Sequence, residues 1–306
     1  MDAKRAAVTR AWGIILVNLA TLAWATNAVL GRWLREDVGP LTLTMLRFTV
    51  ATAVFSLMLR HRPPPERRYG KDRWWLLGMG LAGAVSFSPL LYWGLRYSTA
   101  INCSLIQGFS PLITALIAGL LIQEPVSRRQ LVGALLGLVG VAGLISNGSL
   151  TFLINLKFNA GDLILLVAAV VWAFYSVFGR RVMRTRSPVS ATALSNLLGM
   201  PILFAAGAFE IQHVPLNLRW ETVLAIAHIC FVPTIAGYWC WNRAVKVLGA
   251  GGAMVFYNTL PLYGAILGAA LLGESVGIAH FVFGGLILGS GLWATLEGLG
   301  DESRKQ

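Results

Sequence analysis

The chain has 306 residues, of which 56% are hydrophobic and only 12% charged, and its mean hydropathy is +0.68. A soluble domain carries about 25% charged residues because it must cover itself with water-facing groups, so this composition excludes a water-soluble globular fold and points to a bilayer. The net charge of +12 raises nucleic acid as a partner, but the placement of the basic residues argues against it.

Ten apolar runs follow one another, at about 12–34, 40–60, 73–96, 99–122, 129–147, 160–180, 188–209, 220–242, 249–272 and 277–297. As a helix the first would reach ~34 Å at ~1.5 Å per residue, enough to cross a hydrocarbon core of ~30 Å. It is longer than the ~7–15 apolar residues of a signal peptide and shows no small-residue cleavage pattern, so it is read as the first membrane helix. The connections are short. The longest polar stretch, RHRPPPERRYGKDR at 60–73, has prolines and charges that cannot enter lipid, and NGSLTFLINLKFNAG at 147–161 separates two halves, 1–150 and 151–306. Cys103, Cys230 and Cys240 fall inside spans with no CxxC pair and read as small packing residues.

The Lys and Arg residues follow topology. With a cytoplasmic N-terminus the inner side collects 19 of them, from Lys4, Arg5 and Arg10 through the 60–73 loop, Arg128, Arg129, Arg180–Arg186, Arg243 and Lys246 to Arg304 and Lys305. The outer side keeps 5, namely Arg32, Arg35, Arg96, Lys157 and Arg219, with Arg47 left inside a span. The positive-inside rule therefore predicts an N-in, C-in arrangement, and the basic excess reads as orientation signal and contact with anionic lipid.

The chain repeats itself. At an offset of 148, Gly13/Gly161, Trp24/Trp172, Ala25/Ala173, Val29/Val177, Gly31/Gly179, Arg32/Arg180, Pro40/Pro188 and Thr44/Thr192 are identical pairs. At an offset of 150, Pro111/Pro261, Leu112/Leu262, Ala115/Ala265, Glu124/Glu274 and Val126/Val276 match in the same way. Spans one and two thus correspond to six and seven, and four to nine. Because each half has an odd number of spans, the two five-helix halves are expected to be inverted, an architecture in which related halves open a midplane site to each side in turn.

Each half has a helix with a mid-span proline that ends in LLIQE or ALLGE, followed by a Gly-rich helix, LVGALLGLVGVAGL or FVFGGLILGSGL, and the second span carries LRF at 46–48. These features resemble the EamA family of drug/metabolite transporters over nearly the whole chain. The departures are IQE for GE in the first half and Ser195 where the first half has Arg47. The resemblance implies an all-α polytopic membrane protein with ten helices around a central cavity, export of amino acids or other small metabolites, and, as in some members, aromatic amino acids.

Cavity-facing residues follow from cost, because a polar group at membrane depth is expensive unless it is paired or faces water. Arg47 is the ionised group well inside a span; it either binds a substrate carboxylate or pairs with backbone carbonyls and snorkels to the interface. Asn27 and its repeat partner Tyr175, each one turn past a Trp, are candidate substrate contacts. So are Gln107 before Pro111, and Tyr257 and Asn258 before Pro261, where each proline removes a backbone donor, kinks the helix and frees a carbonyl. Tyr92 with Trp93, and Tyr238 with Trp239, read as an echoed pair of aromatic walls, Tyr92 and Trp239 being taken as contacts; Trp12, Trp33, Trp74, Trp75, Trp220 and Trp293 at span ends read as interfacial belts. His228 is read as bonded to a neighbour. No Asp or Glu lies deep in a span, which favours facilitated diffusion over proton antiport, and Glu124 and Glu274 read as helix-end anchors.

GMGLAG at 78–83 matches GxGxxG but follows no strand, so its glycines read as packing surface, as do GALLG at 133–137, GAILG at 264–268 and GLILG at 285–289. No catalytic motif, metal-ligand cluster or cofactor signature is present in the sequence. The expectation is an inner-membrane exporter whose partners are a small-molecule substrate and the bilayer, not nucleic acid; oligomeric state is left open. Export of lipids or cationic drugs, and a membrane-embedded group-transfer enzyme, are the alternatives.

Overall fold

A computed structural model of the chain describes residues 3–214, 216–272 and 277–295. Their regular structure is helical throughout. Among the described residues the long apolar helices are α1 (Ala3–Trp33), α2 (Pro40–Leu59), α3 (Arg73–Gly80 and Ser88–Tyr97 joined through π-helical Leu81–Phe87) and α4 (Ala100–Gly108, then Ser110–Ile122). They continue with α5 (Arg128–Ile145), α6 (Ala160–Val182), α7 (Pro188–Glu210) and α8 (Trp220–Ile229, π-helical Cys230–Ala236, then on to residue 248). The last two are α9 (250–255, the tight turn Phe256–Asn258, then Thr259–Leu272) and α10 (Ile278–Thr295).

By length and hydropathy nine segments among the described residues qualify as spans, and one of them, Trp220–Leu267, has 48 residues. At ~1.5 Å per residue that segment would run ~72 Å, more than twice a hydrocarbon core. Gly249 divides it: φ 80° and ψ 168° are open to glycine and lie far from helical values. The protein is a polytopic membrane protein.

Local chemistry sets the helix starts. Thr99 accepts the amide N–H of Asn102, Ser127 and Gln130 form a capping box, Asn159 and Asp162 form another, and Ser187 accepts the N–H of Ser190. Each satisfies an orphan donor that lipid cannot. Pro40 and Pro188 sit in the first turns of α2 and α7, where their missing N–H costs nothing.

Loops at the same end of the bundle bond to each other. At one end, here the first, the side chain of Arg219 meets that of Asp37 at 2.6 Å and Asn102 donates to the carbonyl of Lys157. At the second end Arg186 pairs with Asp72 at 2.8 Å and Arg180 donates to the carbonyl of Lys246 at 2.7 Å. Consecutive helices therefore run up and down. α1 packs on α8 and α9 while α6 packs on α3 and α4; α2 pairs with α7 and α5 with α10.

Close approaches explain some glycines and correct others. A Cβ on Gly80 would strike the Ser195 carbonyl of α7, and Gly78 and Gly83 lie under the rings of Phe178 and Tyr175, so GMGLAG is packing surface. Gly133, Gly137 and Gly140 bring α5 against α10. The expectation fails for Gly264, Gly285 and Gly289, which have nothing within 4 Å: their faces point away from the bundle, where small residues bring no neighbour closer. Contacts of α10 are made instead through Gly284, against Leu262, and Gly291, against Phe256.

Candidate functional site

Arg47 is 2% exposed on α2, about two turns from its start at Pro40. Its Nη1 donates to the Tyr92 hydroxyl at 2.9 Å and to Asn27 Oδ1 at 3.3 Å, and Tyr92 donates to the same Oδ1 at 3.0 Å. Three of the expected contacts, from α1, α2 and α3, thus form one triangle. No carboxylate of the described residues lies within 4.0 Å of the guanidinium, and its Nε has no partner. A buried cation without a counter-ion loses hydration that two neutral hydrogen bonds return only in part.

The second half has its counterpart on α6, α7 and α8. Asn242 donates to the Tyr175 hydroxyl at 2.7 Å and to Thr192 Oγ1 at 2.9 Å, all three side chains being buried. An Asn on α1 facing a Tyr on α3 becomes a Tyr on α6 facing an Asn on α8. The charge is not repeated, since Ser195 takes the place of Arg47 and bonds its own helix at the carbonyl of Thr192.

Between the two lies an aromatic cluster. Trp172 stacks on Tyr175 with centroids 5.0 Å apart and meets Trp24 edge-on at 5.0 Å and Trp241 at 5.3 Å. Tyr257 lies 5.9 Å from Trp241, and Tyr238 lies 5.8 Å from Trp24 and 5.5 Å from Phe48. The ring of Phe48 in turn lies 5.3 Å from Arg47 Cζ. Trp24 Nε1 donates at 2.9 Å to the carbonyl of Pro233, inside the π-helical turn of α8, where the regular helical ladder is broken. The indole N–H groups of Trp172 and Trp241 have no partner.

The remaining expected residues are distributed around this core. Gln107 and Ser110 bond each other at the break of α4 before Pro111, leaving Gln107 Nε2 unpaired. Asn258, in the tight turn of α9 ahead of Pro261, is 1% exposed with both amide atoms unpaired. Trp239 packs at the edge of the same core, half-buried beneath the Arg243 guanidinium at 4.6 Å. His228 bonds Thr26 Oγ1 at 2.9 Å. Tyr238, Trp24, Trp172, Trp241, Asn242 and Thr192 complete the constellation; the repeats of Trp24 with Trp172 and of Thr44 with Thr192, and the Tyr238–Trp239 echo, signalled four of them in the sequence, and Trp241 and Asn242 carried no signal.

A cavity of about 620 Å³ lies at the first end, lined among others by Ala28, Gly31, Leu43, Tyr92, Arg96 and Arg35. Tyr92 belongs both to its wall and to the Arg47 triangle. At the second end Glu124 accepts from Arg180 Nε at 2.7 Å and from the amide N–H of Ala250 at 3.0 Å, joining the ends of α4 and α6 to the start of α9. Its repeat partner Glu274 lies outside the described residues.

The profile of the EamA-like transporter family matches residues 11–146 and again 159–296. An uncharacterized transporter of Bacillus subtilis (strain 168), YyaM, is 30% identical over 227 residues, 74% of each chain. A protein of Salmonella typhimurium described as a probable amino-acid metabolite efflux pump is 25% identical over 297 residues, covering 92% of this chain and 94% of that protein. One crystal structure superposes with a TM-score of 0.73 over 93% of this chain and 96% of its own at 22% identity, a likeness of fold. With two matches of one profile spanning nearly its whole length, and a helical membrane fold to carry them, the chain belongs to the EamA-like transporter family.

Proposed function

We propose that the chain exports amino acids or related small metabolites across the inner cell membrane by alternating access through the central site. The observation that carries the reading is Arg47: a buried guanidinium with an unpaired Nε, one residue behind a cavity wall, is a binding group for a carboxylate. The probable amino-acid metabolite efflux pumps among its relatives support the substrate class.

Two inverted five-helix repeats, 1–150 and 151–306, suit the cycle. The paired π-helical turns of α3 and α8, the paired breaks of α4 and α9, and the matched packing of α1 and α6 all support that arrangement. With the N- and C-termini inside, the first end is periplasmic, and the chain stands with a cavity outside and the Glu124–Arg180 contact inside. Asn27, Arg47 and Tyr92 would hold the polar end of the solute, and Tyr175, Tyr257 and the neighbouring indoles its apolar body; Gln107, Trp239 and Asn258 join as it moves through, and the kinks before Pro111 and Pro261 flex. A fixed buried cation disfavours cationic drugs. Among the described residues Asp162 and Glu210, the carboxylates buried in helices, bond Asn102 and the amide N–H of Thr42, which leaves no deep acid there to carry protons and favours facilitated diffusion.

The test is uptake into proteoliposomes of labelled amino acids, including Phe, Trp, Met, Leu, Thr and Ala, and of the carboxylic acids derived from them, with and without a pH gradient. Saturable uptake without a gradient supports the reading. Strict dependence on the gradient removes facilitated diffusion, and no uptake of any compound by folded protein removes the substrate class.

A further inference from the structure

The unpaired polar atoms of the core lean one way. Among the described residues, buried side-chain N–H groups without a partner occur on Arg47, Gln107, Trp172, Trp241 and Asn258; the unpaired buried hydroxyls of Thr52, Ser56, Thr114 and Thr222 can donate or accept, and the unpaired buried atom that can only accept is Asn258 Oδ1. Asn27 Oδ1 already accepts from both Arg47 and Tyr92. A ligand seated here meets many donors, one permanent positive charge and few free acceptors.

That distribution separates two kinds of carboxylate. A carboxylic acid without an ammonium group neutralises Arg47 and accepts from the spare N–H groups. A zwitterionic amino acid neutralises Arg47 as well, but brings a second cation with three donors beside an Asn27 oxygen that already accepts twice, into a core that offers no carboxylate among the described residues. Burying an ammonium without an acidic partner is costly, and aromatic faces return only part of that cost through cation–π contact. The cavity leading to the site repeats the bias more weakly: its wall carries Arg35, Arg96 and Glu36, the exposed Arg35–Glu36 pairing at 3.1 Å being screened by water and Arg96 having no carboxylate of the described residues within 4.0 Å.

Resting on the transport reading above, we infer that the solute is a net-anionic carboxylic acid lacking an ammonium group, with an aromatic or apolar body: an aryl- or alkyl-substituted carboxylic, 2-oxo or 2-hydroxy acid. Arg47 sets this specificity by holding the carboxylate, and the Trp24, Trp172 and Trp241 rings receive the body.

The experiment uses three probes with one phenyl body, namely 3-phenylpropanoate, L-phenylalanine and 2-phenylethylamine. Binding to the purified full chain is read from intrinsic Trp fluorescence, and transport of the first two from proteoliposomes. The acid is expected to bind at least tenfold more tightly than phenylalanine, and the amine not to saturate. Arg47→Gln should remove the tenfold preference while Arg47→Lys, which keeps the charge and guards against misfolding as an explanation, retains it with weaker binding. Phenylalanine binding as well as the acid, or saturation by the amine, overturns the inference. If phenylalanine is transported and the acid is not, the inference falls while the transport reading stands; if neither binds nor moves in protein with a cooperative melt, both fall.

Discussion

Arg47 and Ser195 hold matching places in the two halves, and the difference between them makes a symmetric scaffold chemically one-sided. Replacing Arg47 by Ala should lower the transport efficiency of carboxylated solutes at least tenfold, since a charge-assisted hydrogen bond is worth ~1.5–3 kcal/mol. The thermal midpoint should not fall by more than a few degrees, because an unpaired buried cation contributes little to the fold; calorimetry together with initial rates checks both. Asn242→Leu tests the neutral network: stripping the partner from Tyr175 and Thr192 should cost ~1–3 kcal/mol, read as a lower midpoint. The polar half of the site was legible because Asn27, Arg47 and Gln107 stand out against lipid-depth sequence. Asn242 was not, for it falls at the edge of an apolar run and reads as interfacial, and no composition tells an indole in a core from one in a belt.

At the scale of elements, two π-helical turns and two broken helices shape the centre. The breaks were legible from Pro111 and Pro261; the π turns were not, since Leu81–Phe87 contains no proline and only tertiary contact reveals the extra residue per turn. Packing of the glycine stripes can be tested in pairs. Gly80→Ala should sharply reduce the yield of folded protein, because its methyl meets the Ser195 backbone of α7, whereas Gly285→Ala, in open space, should leave yield and melting unchanged. Size-exclusion profiles of the two variants distinguish them. Glu124 binds three elements at once, so Glu124→Gln should loosen the second end; faster labelling of a thiol introduced by Ala244→Cys, buried at 0% exposure, is the readout in a background without native cysteines.

For the molecule as a whole, the orientation drawn from the basic residues is open to direct labelling. Lys71→Cys should react with an impermeant thiol reagent only from the cytoplasmic side and Asn155→Cys only from outside; the reverse pattern would invert the direction of the proposed cycle. The sequence by itself determined that the chain is a polytopic membrane protein built of apolar helices, and the likeness of its halves was legible in the repeated residues. Hydrocarbon demands about 20 apolar residues per crossing and internally bonded backbone, requirements written locally and readable locally. Tertiary structure decided which aromatic rings meet, which glycines are covered, that the second end is tied by Glu124, and that Arg47 has no counter-ion among the described residues. Those outcomes depend on contacts between helices distant in sequence, whose lateral order around the bundle is set by packing rather than by any one span.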